Sequence, residues 1–161
     1  MGRMQRQIAH PPLTARGIAQ AYAAGYQLQG KGVRRIVTSD AVRATQTAQA
    51  IATVTGAEPV VDSRLRERGW GDHQRPVSSQ RSVPRRLEDP QPRICTLLAD
   101  VMESSVPTVL VTHGDIVCAT LDLLCARDAT SRGWDTGSAV PNGAVICVRI
   151  DRRAASRVLG R

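Results

Sequence analysis

Two stretches of this chain, VRRIVTSDAVRATQTA and TVLVTHGDIVCATL, share one layout. A short apolar, β-branched run meets a polar hinge, and a helix-period run follows at once. Strands without polar alternation are buried on both faces, which requires helices above and below a largely parallel sheet. The constraint extends along the chain. Thr14 can cap a helix to about Gly30, with Ile18, Tyr22 and Tyr26 recurring every four residues on one face. Val33 to Ser39 reads as a strand, and Asp40 is placed to cap a second helix with a small-residue face of Ala44, Ala48, Ile51 and Ala52, ended by Gly56. EPVVD reads as another strand.

From Trp70 to about Arg93 the periodicity breaks into a Pro-, Ser- and Arg-rich run, GDHQRPVSSQRSVPRRLEDPQPR, which predicts a mobile loop at about 73–93. A helix from about Pro92 to Ser104, strand TVLVT, a helix with Ile116, Val117, Leu121 and Leu124 facing inward, and a last strand GAVICVRI complete the pattern. The expectation is a three-layer α/β sandwich with a mostly parallel sheet, formed by one domain over residues 1–161.

The termini and composition narrow the function classes. MGRMQRQIAHPP has no apolar core of a secretory signal, and no apolar run approaches the roughly 18–20 residues of a membrane span. The four cysteines lie in apolar contexts, with no CxxC pair and no ligand spacing with His10, His73 or His113. Core thiols, a cytoplasmic setting, no membrane partner, no metal site and no cofactor are therefore expected. Net charge is +8, with Lys31 the one lysine among 22 basic residues, so the surface attracts polyanions. Nucleic acid is the weaker reading, because an aromatic content of 2% leaves little for bases to stack on.

Three local features fall where an open α/β sheet places ligands, beyond the carboxyl ends of its strands. Arg43 sits in the first turn of the second helix, where a guanidinium can fork onto a phosphate that the helix terminus also attracts. A solvent-facing arginine is equally compatible with that position. His113 ends a strand beside Gly114, whose backbone another group can approach closely. Its imidazole suits proton transfer or anion binding, and equally a core histidine satisfied by backbone. Glu67 lies among Arg64, Arg66 and Arg68 and, on its own, reads as an exposed ion pair.

Taken in order, PLTARGIAQA, TSDAVRATQTAQAIA, RLRERGWGD, VLVTHGDIV and PNGAV resemble the histidine phosphatase superfamily, also called phosphoglycerate-mutase-like, from about Gly2 to Ile150. The resemblance implies that fold, phosphomonoester hydrolysis, and a small phosphorylated substrate or phosphate as partner. It makes Arg43 a phosphate-clamping arginine, His113 the second active-site histidine and Glu67 the acid that protonates the leaving oxygen. Gly114 and, in the PNG turn, Asn142 are further ligand-side candidates.

The family pattern opens with a strand ending in Arg-His-Gly, whose histidine is the phosphorylated nucleophile. No Arg-His-Gly tripeptide occurs in this sequence, and the resemblance implies that this nucleophile, one clamping arginine and a central strand lack counterparts. His10, on a loop before Pro11, is the alternative nucleophile, although it lacks the rigid strand that positions one. An internal start codon accounts for such a gap. So does a phosphate-binding pseudoenzyme, and a homo-oligomer could lend the strand.

Overall fold

The computed structural model describes residues 11–69, 88–125 and 140–160. Three parallel strands, β1 (Arg35–Thr38), β2 (Pro59–Val61) and β3 (Thr108–Val111), form a sheet in the order β2-β1-β3. Ile36 lies opposite Pro59 and Val109, and Thr38 opposite Val61 and Val111. Five helices complete the described fold: α1 (Ala15–Leu28), α2 (Val42–Thr55), α3 (Gln91–Ser104), α4 (Gly114–Cys125) and α5 (Arg152–Leu159).

Strand alternation divides the core into two layers. Ile36, Val109 and Val111 join Ala24, Leu28, Ala44, Ala48 and Ile51 of α1 and α2. Val37 and Leu110 point the other way, into Ile94, Leu97 and Leu98 of α3, Ile116 and Ala119 of α4, and Ala154 and Val158 of α5. Each central residue is thus covered from one side or the other, as its unbroken apolar run requires. Arg157 of α5 donates to the carbonyls of Leu123 and Leu124, closing the C-terminal end of α4.

Several local expectations are met. Thr14 caps α1 by accepting from the Gly17 amide, and left-handed Gly56 stops α2. Others are corrected. Ile18, Tyr22 and Tyr26 are exposed, and the face that packs is the small one, Ala21, Ala24, Gly25 and Leu28. The small residues on that face let the α1 and α2 backbones approach closely. At Gly25 a Cβ would stand 3.0 Å from Val54 Cγ2 and 3.3 Å from Ile51 Cα.

Asp40 does not cap α2. Ala41 holds that position without a side-chain bond, and the Asp40 carboxylate instead accepts from Nε and Nη2 along one edge of the Arg66 guanidinium. In α4 the inward face is Ile116, Cys118, Ala119, Asp122 and Leu124, with Val117 and Leu121 only half-buried.

GAVICVRI carries no strand pairing among the described residues. Ile146 and Val148 stay 47% and 46% exposed, because an apolar run becomes a strand only where a neighbouring backbone completes its ladder. The thiol expectation also fails in part. Cys118 is buried and Cys95 half-buried, but Cys125, ending α4, and Cys147, in that unpaired stretch, are exposed. Most of the expected Pro- and Arg-rich loop, 70–87, lies outside the described residues, and residues 88–90 lead directly into α3.

Gly25→Val should destabilise the fold by about 1–3 kcal/mol, the usual cost of forcing extra methyl groups into a packed helix contact. Urea denaturation checks it; unchanged stability would mean that α1 and α2 are not in this close contact.

Candidate functional site

The parallel register brings two hinges side by side. β1 runs out at Thr38 and β3 at Val111, and the Ser39 amide donates to the Val111 carbonyl at 3.0 Å, extending the ladder one step past the strands. Beyond that step both chains turn into helices, α2 through Ala41 and α4 through His113, whose carbonyl accepts from the Val117 amide at 2.9 Å. Arg43 is the second residue of α2 and Gly114 the first of α4. Two helix N-termini therefore open at the same end of the sheet, a favourable place for an anion.

The side chains converge there. Arg43 Nη2 donates to Glu67 Oε2 at 2.8 Å and lies 3.1 Å from His113 Nδ1. The arginine and glutamate side chains are 22% and 19% exposed, so the cluster faces a partly wetted opening rather than open solvent. His113 is buried to 9% exposure, and its Nε2 lies 3.0 Å from Ser39 Oγ. Burial, reinforced by the Arg43 charge, pushes the imidazole down to about 4, against a smaller opposing effect of Asp115. The ring is neutral at physiological pH.

Glu67 follows a 3-10 turn, Ser63–Leu65, and is held by bonds to its backbone neighbours. Thr112, one residue before His113, donates to the Leu65 carbonyl at 2.8 Å. Asp115, in the first turn of α4, accepts from the Arg68 amide at 3.0 Å. Arg93 of α3 donates to the Arg64 carbonyl and reaches the Glu67 carbonyl at 3.5 Å, with its Nε on Glu88 at 2.6 Å. At the rim, Arg66 paired with Asp40 holds the Asp40 carboxyl below its ordinary range.

Of the residues singled out from sequence, Arg43, Glu67 and His113 come together. Gly114 adjoins them at the start of α4, and among the described residues a Cβ there would meet Val140 Cβ at an ordinary 3.6 Å. Asn142 is exposed in a turn closed by the Ala144 amide on the Pro141 carbonyl, with left-handed Gly143 against Gln20 of α1. No described bond brings Asn142 to the cluster. His10 lies outside the described residues.

Ser39, Thr112 and Arg93 escaped the reading by sequence. Ser39 and Thr112 each adjoin a recognised residue, and their parallel places at two strand ends were the available signal. Arg93, on a third element, gave none. Among the described residues no group of three or more His, Cys, Asp or Glu side chains could hold a metal ion, and no helix is long and apolar enough to cross a membrane.

Because the folded histidine titrates well below the ordinary 6.5, the unfolded chain takes up its proton first as pH falls. The folded state should therefore keep its full stability above about pH 6.5, lose it progressively down to about 4 and change little below that on this account, with a total of at most about 3 kcal/mol. Urea midpoints at pH 7.5 and 5, with His113→Gln as control, measure it. An equal pH dependence in that variant would assign the effect to other groups.

Comparison with known proteins gives the family and the fold. The description of the histidine phosphatase superfamily (branch 1) matches residues 1–159. A Yersinia enterocolitica protein named "Probable phosphoglycerate mutase GpmB" is 42% identical over 69 residues, which are 42% of this chain and 32% of that protein. The match thus spans about a third of the length of that relative. Among solved structures, the mycobacterial glucosyl-3-phosphoglycerate phosphatase in complex with VO3 superimposes with a TM-score of 0.69 at 29% identity, over 88% of this chain and 80% of that one. The same phosphatase with inorganic phosphate gives 0.65 at 29% identity, over 83% and 77%. With its fold shared and all but its last two residues matched by the family description, the chain belongs to the histidine phosphatase superfamily, branch 1.

Proposed function

We propose that the cluster of Arg43, His113 and Glu67 holds the phosphoryl group of a phosphomonoester, and that the 161-residue chain hydrolyses such esters weakly. The observation that carries the binding is the placing of Arg43 Nη2, 2.8 Å from Glu67 and 3.1 Å from His113. A permanently charged guanidinium in the first turn of α2 offers charge-assisted, forked donors in the field of the helix terminus. The mycobacterial relative with inorganic phosphate supports the same ligand chemistry here.

Glu67, once it has taken up a proton from solvent as the ligand draws Arg43 away, is the group suited to deliver that proton to the leaving oxygen, and neutral His113 suits hydrogen bonding across the transferred group. The reading of weak turnover is supported by one missing tripeptide in these 161 residues. The histidine that accepts the phosphoryl group in this family belongs to an Arg-His-Gly unit, which this sequence does not contain. A chain that lacks that histidine would lose the two-step covalent route but keep electrostatic binding.

Calorimetry with inorganic phosphate should detect binding that Arg43→Ala weakens at least tenfold, as expected for loss of a charge-assisted hydrogen bond of about 1.5–3 kcal/mol. Hydrolysis of an aryl phosphate near pH 6 and pH 7.5 should stay close to background. Robust turnover abolished by His10→Ala would refute the second half of the proposal and identify a relocated nucleophile. An absence of phosphate binding would refute the first half.

A further inference from the structure

Ser39 has been given no chemical role so far, yet it is the most enclosed polar residue of the site, at 0% exposure. Its backbone is fixed by the ladder bond to Val111, so its hydroxyl has little freedom to move. Ser39 Oγ lies 3.0 Å from His113 Nε2 and 3.4 Å from the Ala41 amide, which donates to it.

On the opposite edge of the ring, His113 Nδ1 faces Arg43 Nη2 at 3.1 Å. A guanidinium can only donate, so Nδ1 must present its lone pair. A neutral imidazole carries one proton, which then sits on Nε2 and is donated to Ser39 Oγ. The serine oxygen thereby accepts two hydrogen bonds, one from the ring and one from Ala41.

We propose that Ser39 is a positioning residue: by accepting the Nε2 proton it fixes His113 in the one tautomer whose Nδ1 lone pair can orient Arg43 toward the phosphoryl group. Removing the hydroxyl leaves Nε2–H buried without its acceptor, which favours moving the proton to Nδ1. There it points at Arg43, donor against donor, and the guanidinium loses the anchor that the ring supplied. With that anchor gone the guanidinium end is less constrained, and the fork aimed at the ligand is less well preorganised. The effect on binding rests on the phosphate reading of the same cluster, whereas the effect on the tautomer does not.

The two effects are separable by experiment. Nitrogen-15 NMR of the imidazole rings reports the tautomer in ligand-free protein, and the chain has only 3 histidines, so His113→Gln assigns the signal. Native protein should show a protonated Nε2 and an unprotonated Nδ1. Ser39→Ala, with a dispersed spectrum as evidence of folding, should shift His113 toward the Nδ1–H form and weaken inorganic phosphate binding about tenfold, the scale of one lost hydrogen bond. Ser39→Thr, which keeps the hydroxyl, should restore both.

An Nδ1–H tautomer in native protein, or a tautomer unchanged in Ser39→Ala, overturns the proposal. A changed tautomer with unchanged phosphate affinity overturns its claim on Arg43. If native protein binds no phosphate, the functional reading fails, while the tautomer comparison still decides what Ser39 does to the ring.

Discussion

The register of β1 against β3 is the constraint on which the site depends. Thr38 opposite Val111 makes the two strands end level, and the bond from the Ser39 amide to the Val111 carbonyl carries that alignment one residue further. A shift of one residue along β1 would exchange Ile36 with Val37 between the two core layers, and along β3 Val109 with Leu110, so the apolar packing enforces the register. The polar cluster inherits its precision from that packing. Ser39 and His113, far apart in sequence, come within 3.0 Å because each is the first or second residue beyond a buried strand.

Charge explains why the cluster takes the form it does. Arg43 carries a permanent positive charge in a setting only about a fifth exposed, and a second cation on the adjoining ring would raise its cost steeply. Burial and the guanidinium both keep His113 neutral, and Glu67 supplies the compensating negative charge. Under the proposed function, an anion entering here meets a cation already paired with the Glu67 carboxylate, so binding would require that Glu67 share Arg43 or yield some of its hold. The rigid backbone beneath Glu67, fixed by Thr112, Arg93 and Asp115, leaves the side chain as the part able to adjust.

Features written locally were legible in the sequence. Unbroken apolar runs identified the strands, Thr14 and Gly56 marked helix ends by side-chain and backbone chemistry, and Arg43 and His113 stood at hinges that a parallel sheet brings together. The errors arose where the outcome depends on a partner in space. Asp40 had the right chemistry for a cap, but the Arg66 guanidinium, 26 residues away, offered it two charge-assisted bonds instead. The tyrosines of α1 gave the stronger periodic signal, but the alanine and glycine face allowed the nearer approach to α2. GAVICVRI had the composition of a strand, and composition cannot supply a ladder partner.

Arg93 shows the same limit at the site itself. From α3 it binds Glu88 and reaches the backbone carbonyls of Arg64 and Glu67, joining three separate parts of the chain around the carboxylate segment. Thr112 does the equivalent from the end of β3, through the Leu65 carbonyl. A carbonyl acceptor is common to every residue, so no side-chain type at positions 64, 65 or 67 could have announced either contact. Their consequence is nonetheless specific. Glu67 sits on an irregular segment after a single 3-10 turn, which has no ladder or helix of its own to fix it, and in the proposed role of general acid it would have to be held within a fraction of an ångström of its target. The bonds from α3 and β3 replace the missing regular structure, so the position of this carboxylate is set by the packing of the whole sheet and helix layer behind it.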